Sequence, residues 1–553
     1  MPAGFPTIIH SHATTWHDGA VAVLLEDGSI YSLAAERVGD RYKHSWNSKL
    51  AYEYLSLHFA DNPLYDITSE RNHFKDAVSG LEDSGHHLYH AASAYFGSPF
   101  QHAAILVIDG QGPEQGKKAS TTIWQGEGEE LRLLEAPYLA DGAFAAQSIG
   151  HFYTAIGALA GMQQLHEEGK TMGLAPYGKP SRFLDCFRKY AYSNVDGSYY
   201  IEPRFIYAIL EHTFGATYFG WSPQAANQAI WDELLSLRGK PPRQAGEQVS
   251  QEDMDIAYAG QIILEEITLG LAKRAQELTG EEFLCLAGGV ALNSVANGKI
   301  VTSELFKDIF IFPAAGDDGQ AIGKLFYDIH KSKLQINTIT ETAYYGPLYS
   351  REAVLNAILK YGDQLVITEQ AHNDFVDNTV DRILSGQVVG WFRGRSELGP
   401  RALGHRSIFA DPRREGMRDY INASIKGREW YRPLAPIVLE EEVHNYFDLH
   451  RASPFMLLVA PVKTDKRDLI PAIVHIDGSA RIQTINIRQD ATVYTLVQRF
   501  GQRTGIPLLL NTSFNRQGEP IVESPEDALK AFLTMNLDAL ILDDIIVEKR
   551  AQV

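Results

Sequence analysis

Two histidines four residues apart are the first feature of this chain that could do chemistry. His86 and His90 lie in the stretch HHLYHAASAYF, whose small and aromatic residues recur at helical spacing. Residues four apart project from one face of a helix, at a separation that suits a single metal ion. The spacing alone leaves two interpretations open: a metal-binding pair, or surface or core histidines without a ligand.

Two aspartates could complete such a site. Asp109 ends the apolar strand Ile105–Ile108 and opens the loop DGQG, while Asp317 follows a second apolar strand and stands in GDDG. A turn-capping role is the alternative for Asp109. Two imidazoles and two carboxylates would suit Fe(II), Mn(II) or Zn(II) and leave positions for a ligand oxygen. A metalloprotease is disfavoured, because no glutamate lies between the two histidines.

Basic residues are concentrated in the C-terminal part of the chain. Residues 393–432 carry ten Lys and Arg against five acidic residues, within a chain of net charge -19. A solvated basic face is one explanation, but the interleaved Gly, Pro and aromatic residues favour anion binding. Forked guanidinium groups, a point charge and polar donors fit phosphate and a small planar amide. The candidates are Arg401, Lys426, Arg432, Arg481, Asn511 and Ser513.

Two further motifs lie in predicted turns. His17, in WHDG, falls in the first turn of the chain and is either a general base or a turn histidine. Gly288, Gly289 and Asn293, in AGGVALN, follow the predicted buried strand Phe283–Leu286 and could let a nucleotide approach the backbone. A Gly-Gly pair alone is not a specific signal.

The elements that must position these residues form a repeated pattern. Three consecutive strands are predicted near the start and again about a hundred residues later, which indicates a loose duplication and two lobes with a cleft between them. Outside these repeats, a buried strand is predicted at Ile309–Phe312, after the one at Phe283–Leu286. The two sets are Thr7–His10, Ala20–Leu25 and Ser29–Ala35, then Ala104–Asp109, Ala119–Trp124 and Leu131–Glu135, with loops at 110–118 and 125–130.

Composition sets the remaining bounds. A chain of 553 residues with 45% hydrophobic and 22% charged residues is typical of a folded protein of two or three domains. The net charge of -19 argues against nucleic acid and anionic membrane as partners. Two separated cysteines in apolar settings, Cys186 and Cys285, and the lack of an apolar run of membrane length favour a cytoplasmic protein. The hydrophobic periodicity is lost at 330–350, which predicts a domain boundary there and domains at 1–340 and 341–553.

Together these motifs resemble the NodU/CmcH O-carbamoyltransferase family over nearly the whole chain. The resemblance lies in HDGA at His17, HHLYHAASAYF at His86, IDGQG at Ile108, EGKTMGLAPYG at Glu168, AGGVALN at Ala287 and GDDG at Gly316, followed by GPRALGHRSI, KGREWYRPLAP and LNTSFNRQGEPIV. It implies an α/β protein: a two-lobed actin/Hsp70-like N-terminal domain and a YrdC-like C-terminal domain.

The resemblance also implies a reaction. The C-terminal domain would convert carbamoyl phosphate and ATP to carbamoyl adenylate, and the N-terminal domain would transfer the carbamoyl group to a hydroxyl of a natural product or sugar. Mg-ATP and Fe(II) are the implied cofactors. Adenylation is chemically reasonable. A neutral carbamate donor is a sluggish electrophile, and the adenylate provides a stabilised phosphate leaving group.

Individual roles follow by position in the matched motifs. Arg401, Lys426, Arg432, Arg481 and Ser513 would bind carbamoyl phosphate, and His86, His90, Asp109 and Asp317 would bind iron(II). His17 would take the proton of the acceptor hydroxyl, an effect worth about a hundred- to ten-thousand-fold in rate. The loop with Gly288, Gly289 and Asn293, together with Lys170, would hold the nucleotide. Asp318 stands beside Asp317, and the register of the loop favours Asp317 as the ligand.

Two alternatives to this reaction are considered. A hydrogenase-maturation or threonylcarbamoyl-transferring enzyme is disfavoured, since two cysteines cannot build paired zinc modules and an acidic chain is unsuited to tRNA. A nucleotide-binding actin-like scaffold with a structural metal is the non-catalytic alternative. The sequence leaves the acceptor and the oligomeric state open, with a homodimer as one option.

Overall fold

The computed structural model describes residues 9–12, 18–25, 28–39, 41, 43–45, 47–58, 85–137, 147–215, 225–333, 342–369 and 374–550. Contacts divide the chain into two compact units. The central unit is Asp83–Ile311, and the flanking unit combines Met1–Glu82 with Phe312–Val553. The predicted boundary near residue 340 stays a prediction.

Strands and helices alternate in both units, so the predicted α/β class is confirmed. The strands are β1 (Ile9–His12), β2 (Ala20–Leu24), β3 (Ile30–Ala34), β4 (His102–Glu114), β5 (Lys117–Glu127), β6 (Glu130–Glu135), β7 (Ala191–Ser193), β8 (Tyr199–Ile201), β9 (Phe283–Ala287), β10 (Asp308–Ile311), β11 (Leu365–Glu369), β12 (Val389–Phe392), β13 (Arg406–Ala410), β14 (Ala435–Leu439), β15 (Leu458–Pro461), β16 (Ser479–Ile485), β17 (Leu508–Ser513), β18 (Ala539–Leu542) and β19 (Ile545–Lys549).

The α-helices are α1 (Ser48–His58), α2 (His86–Phe96), α3 (Ile149–Leu159), α4 (Glu168–Leu174), α5 (Arg182–Phe187), α6 (Pro203–Phe214), α7 (Ala225–Arg238), α8 (Gln251–Thr279), α9 (Ser294–Thr302), α10 (Gln320–Lys331), α11 (Arg351–Lys360), α12 (Asp374–Ser385), α13 (Met417–Tyr420), α14 (Val443–Tyr446), α15 (Ala491–Thr504) and α16 (Pro525–Thr534). None of the described helices is both long and apolar enough to cross a bilayer.

The central unit is built on a five-stranded sheet of order β10-β9-β4-β5-β6. Strands β4, β5 and β6 pair antiparallel as a meander, and β9 and β10 add parallel strands beside β4. The interior of β4 and β9 is apolar on both faces, as expected for strands covered by helices. The parallel pairing places the ends of β4 and β9 at one edge of the sheet.

The predicted loop at 110–118 is wrong. Strand β4 continues to Glu114 after a register shift between Ile108 and Gly112, and β5 begins at Lys117. The turn is reduced to Gln115 and Gly116, both with positive φ (50° and 75°), which matches the twist of a two-residue hairpin. The Gly- and Pro-rich sequence resembles a loop, but a bulge lets the ladder resume. The loop at 125–130 is shortened in the same way.

Other predicted elements agree with the structure. Helix α2 has the predicted bounds, and β2, β3 and β9 lie within a residue of prediction. Strand β1 extends to His12 rather than His10, because Ser11 and His12 pair with Val21 and Ala20 of β2. Backbone groups form this ladder, so it includes two residues that the predicted strand left out.

The flanking unit contains two sheets. The first is the antiparallel meander β1-β2-β3, and the second has nine strands in the order β11-β19-β18-β12-β13-β17-β14-β16-β15. A core cluster that includes Trp391, Phe409, Val497 and Ile541 packs on the larger sheet, with α12 and α15 contributing their apolar faces. The rings of Trp391 and Phe409 lie edge to face with centroids 5.7 Å apart. This core fixes the strands that carry the basic residues.

We expect Phe409→Ala to lower the free energy of unfolding by about 3–5 kcal/mol, because it leaves a cavity beside Trp391. The measurement is urea unfolding of the full chain followed by tryptophan fluorescence. Leu359→Ala is the control, since Leu359 is 74% exposed and should change stability by less than about 0.5 kcal/mol. Equal midpoints for the two variants would contradict the assignment of this core.

Candidate functional site

Helix α2 carries both histidines of the predicted metal pair. It begins after Gly85, and the Leu88 backbone N–H donates to the Glu114 carboxylate at 3.0 Å, which anchors the first turn to the end of β4. His86 and His90 are buried, at 6% and 0% exposure. Their ring centroids are 5.0 Å apart, as the four-residue spacing predicts.

Asp109 lies opposite the two histidines, where β4 is bulged. Its Oδ2 is 2.9 Å from His86 Nε2 and 3.7 Å from His90 Nε2. Its Oδ1 accepts the backbone N–H of Gly289 at 2.9 Å. Burial alone would raise the pKa of Asp109, but its hydrogen bonds with His86 and His90 hold the pKa well below the usual value. The carboxyl is therefore ionised at neutral pH.

These three residues fit a divalent transition metal. One ligand atom of each lies within 4.8 Å of those of the other two, inside a buried region. Two imidazole nitrogens and a carboxylate oxygen form a donor set that Fe(II), Mn(II) and Zn(II) accept. The space for the His86 ring depends on Gly112, where an added Cβ would meet His86 Cδ2 at 2.0 Å.

His87, between the two, has a different role that the sequence did not reveal. Its Nδ1 is 3.0 Å from Thr122 Oγ1 and its Nε2 is 3.1 Å from the Ala119 carbonyl. Burial, followed by the charge of His86, lowers the pKa of His87 to about 3. His87 is therefore neutral and fastens α2 to β5. The helical period could have shown that it faces away from His86 and His90.

Asp317 belongs to the flanking unit, so its role as the fourth ligand stays a prediction. It is buried in the turn Asp317–Gly319, and its Oδ1 accepts from Gln320 Nε2 at 2.7 Å. For the neighbouring Asp318, burial and then the charges of Asp18 and Glu36 raise the pKa to about 8. His17, the predicted base, lies outside the described residues.

The predicted nucleotide residues make structural contacts in the central unit. Gly288 has φ +87°, and a Cβ there would lie 2.3 Å from the Ile108 carbonyl oxygen, so glycine is required. Asn293 caps α9 by accepting the Ala296 N–H at 3.1 Å, and it exchanges two hydrogen bonds with Gln261. Lys170 pairs with Glu167. Their role with a nucleotide stays a prediction.

Lys426 is the centre of the second site, in the flanking unit. It ends the π-helical turn Ile421–Lys426 and is 3% exposed. Its Nζ donates to the Ser513 carbonyl (2.6 Å), to Ser513 Oγ (3.0 Å) and to Asn515 Oδ1 (2.9 Å). All three acceptors are uncharged. Burial, followed by the charge of Arg428, lowers the pKa of Lys426 well below 10.5.

Arg428, Lys43 and Arg432 act electrostatically on this lysine, and two further arginines interact with Arg432. Arg401, Arg428, Arg432 and Arg481 act on one another electrostatically. Burial and then Arg432 lower the pKa of Arg401 to about 10. Among the described residues only Arg432 pairs with a carboxylate, Glu429 at 3.7 Å, while no carboxylate oxygen lies within 4.0 Å of Arg401, Arg428, Arg481 or Lys426. We call these five residues the cationic cluster.

Asn422 joins the parts of the cationic cluster. Its side-chain amide donates to the Arg432 carbonyl at 2.9 Å, and its Oδ1 accepts from Arg428 Nε at 2.8 Å. The loop with both arginines is thus tied to the turn that ends at Lys426. Neither Asn422 nor Arg428 was singled out from the sequence. Arg428 could have been found, because it stands in KGREWYRPLAP beside two chosen residues.

The structure therefore brings together the predicted C-terminal residues. Asn511 and Ser513 lie two apart on β17, and Arg481 lies on β16 of the same sheet. Residues two apart on a strand face the same side. An excess of partly buried positive charge, with neutral donors beside it, is suited to a small anion such as a phosphate.

Comparison with known proteins identifies the family. The family model described as "Carbamoyltransferase N-terminus" matches residues 51–325, and "Carbamoyltransferase C-terminus" matches residues 380–549. The chain belongs to the carbamoyltransferase family, and it is accordingly a transferase.

Relatives cover most of the chain. Nodulation protein NolNO of Sinorhizobium fredii is 34% identical, covering 97% of this chain and 80% of that protein. Nodulation protein NolO of Bradyrhizobium diazoefficiens is 36% identical, covering 84% and 79%. An uncharacterized protein of Synechocystis sp. is 37% identical, covering 84% and 76%. The activator of a Clostridium difficile 2-hydroxyisocaproyl-CoA dehydratase covers 60% of this chain and 99% of that chain, at 14% identity and a TM-score of 0.30, too distant to define the fold.

We expect Gly112→Ala to reduce the bound content of iron(II), manganese(II) or zinc(II) by about tenfold or more, because the new methyl group displaces the His86 ring. The metal content is measured by mass spectrometry after equilibrium dialysis. Gly169→Ala is the matched control, since a Cβ there meets no atom within 4 Å. Native metal content in Gly112→Ala would contradict the assignment.

We expect the affinity for inorganic phosphate to fall as the pH rises through the lowered pKa of Lys426, before the ordinary lysine value of 10.5 is reached. The lowered pKa of Lys426 means that its positive charge is present below that pKa and lost above it. Isothermal titration calorimetry gives the affinity at each pH. In Lys426→Arg the guanidinium keeps its charge, so the dependence should flatten. An affinity independent of pH in the native protein would rule out this role of Lys426.

Proposed function

We propose that this carbamoyltransferase uses carbamoyl phosphate and ATP to carbamoylate a hydroxyl group of a small-molecule acceptor. The single observation that carries the donor half is the cationic cluster, in which Lys426, Arg401 and Arg481 lack a neutralising carboxylate among the described residues. Charges that are partly removed from water need a counter-charge. A dianionic phosphate supplies one.

Carbamoyl phosphate matches the cluster in both of its parts. Its phosphate accepts charge-assisted hydrogen bonds from the guanidinium groups of Arg401 and Arg481 and from the ammonium of Lys426. Its planar carbamoyl group needs uncharged donors and acceptors, which Ser513 and Asn511 supply from the same face of β17. The family membership and the geometry thus support one donor.

In the first reaction, water releases carbamate and phosphate from carbamoyl phosphate. A carbamate oxygen then attacks the α-phosphorus of ATP, the bond to the β-phosphate oxygen breaks, and pyrophosphate leaves. Carbamoyl adenylate is the product. The protein orients the two anions through the cationic cluster, so that the attacking oxygen and the leaving pyrophosphate are held in line.

In the second reaction, the acceptor hydroxyl attacks the carbamoyl carbon, and the bond from that carbon to the adenylate oxygen breaks to release AMP. The hydroxyl proton passes to His17, which acts as general base. Iron(II) held by His86, His90 and Asp109 would act as a Lewis acid on a substrate oxygen. Asp109 stays ionised for this purpose through its contacts with His86 and Gly289.

The fold expected for these two reactions has support from the sheets. In the central unit, three antiparallel strands followed by two parallel ones form the arrangement that we expect for one lobe of an actin/Hsp70-like domain. The meander β1-β2-β3 would start the other lobe. Gly288, Gly289, Asn293 and Lys170 of the central unit would hold the nucleotide of carbamoyl adenylate, and a YrdC-like C-terminal domain would bind Mg-ATP in the first reaction.

The acceptor class is a hydroxylated natural product or sugar. This class rests on the resemblance of the sequence motifs to the NodU/CmcH family, and the named nodulation proteins are relatives over most of their length. We place the reaction in the cytoplasm, where the two buried free thiols, Cys186 and Cys285, would stay reduced.

The test needs no acceptor. Purified full-length protein is incubated with iron(II), Mg-ATP and carbamoyl phosphate, and carbamoyl adenylate and pyrophosphate are measured by mass spectrometry. We expect Lys426→Ala to lower adenylate formation by about a hundredfold or more, because a buried phosphate contact is lost. His17→Asn should form adenylate at the native rate, because the role proposed for His17 is confined to the transfer step.

The exposed Lys360→Ala variant is the control for loss of a lysine, because Lys360 pairs with Glu526 at the surface. Absence of adenylate with folded, metal-loaded native protein would favour a nucleotide-binding scaffold. Loss of adenylate formation in His17→Asn would contradict the assignment of two separate sites.

A further inference from the structure

Two side-chain amides, those of Gln483 and Asn511, are hydrogen-bonded to each other on the strands that carry Arg481 and Ser513. Gln483 Nε2 donates to the Leu403 carbonyl at 2.7 Å, and Gln483 Oε1 accepts from Asn511 Nδ2 at 2.7 Å. The same Asn511 nitrogen donates to the Ala402 carbonyl at 3.3 Å. Gln483 and Asn511 are each 1% exposed.

The contacts fix which way both amides face. The Leu403 carbonyl is only an acceptor, so it requires the nitrogen of Gln483 and directs the Gln483 oxygen at Asn511. Asn511 must then present its own nitrogen to that oxygen and to the Ala402 carbonyl. Reversing either amide would bring two acceptor oxygens together in a buried region, which is costly.

One buried acceptor results from these contacts. Asn511 Oδ1 has no hydrogen-bond partner among the residues that the structure describes. Asn511 shares its strand face with Ser513, whose hydroxyl contacts Lys426, and Gln483 shares its strand face with Arg481. The carbonyl that accepts from Asn511 Nδ2 belongs to Ala402, the residue directly after Arg401. The fixed oxygen thus lies among elements of the cationic cluster.

We propose that Gln483 is a positioning residue that fixes the Asn511 oxygen as a hydrogen-bond acceptor. The site then selects an acyl phosphate whose acyl carbon carries an amino group. A carbamoyl group supplies such an N–H. An acetyl group of nearly the same shape presents a methyl group and leaves the buried oxygen unpaired. This inference rests on the proposed function and assigns its donor specificity to an amide pair.

The test uses two stable ligands of equal shape. Phosphonoacetamide carries the amide, acetonylphosphonate carries a methyl group in place of the NH₂, and inorganic phosphate reports on the cationic cluster alone. Isothermal titration calorimetry of the native full-length chain should give about tenfold tighter binding of the amide than of the ketone, the value of one hydrogen bond to a buried acceptor.

Gln483→Met removes both hydrogen bonds of Gln483 at similar side-chain size. The Asn511 amide is then free to turn, and the preference for the amide ligand should fall to about twofold or less, with phosphate affinity unchanged. Asn511→Leu should also abolish the preference. Because Gln483 acts through Asn511, the double variant should equal Asn511→Leu alone. Gln502→Met, on the exposed side of α15, is the matched control.

The outcomes separate the two proposals. Native protein that binds none of the three ligands would contradict the proposed donor site itself. Native protein that binds the amide and the ketone equally would overturn the inference about Gln483 and Asn511 alone. The inference would also fail if Gln483→Met kept the native preference, or if it weakened all three ligands equally.

Discussion

The cost of taking charged groups out of water governs both candidate sites. In the central unit, Asp109 is buried as an anion, and the imidazoles of His86 and His90 and the Gly289 N–H compensate its charge. In the flanking unit, Lys426 is buried with only neutral acceptors, beside arginines that repel it. The charge of the first site is compensated within its own unit, whereas that of the second would be compensated by the anion that we propose it binds.

The same constraint explains the supporting elements. Gly112 makes room for the His86 ring, and Gly288 lets the loop after β9 pass against the Ile108 carbonyl. In the other unit, Asn422 ties the arginine-bearing loop to the turn of Lys426, and Gln483 orients Asn511. The two glycines provide steric clearance, whereas the hydrogen bonds of Asn422 and Gln483 satisfy buried polar groups and orient residues of the proposed donor site.

Sequence patterns predicted local features well where a physical period was strong. The four-residue spacing of His86 and His90 gave the correct helix, and the apolar runs gave β4 and β9. The loop at 110–118 was wrong, because its glycines and proline resemble a turn while the partner strand continues the ladder. Pairing of that kind depends on a neighbour that is distant in sequence.

The sequence by itself determined the motif order, the family and the set of charged residues, because these depend on residue type and spacing. Only the tertiary structure decided that His87 is a neutral anchor, that Asn422 ties the Arg428 loop to the Lys426 turn, and that Asn293 is already held by Gln261. Burial and hydrogen-bond partners decide the charge and orientation of a side chain, and both are set by residues far away along the chain.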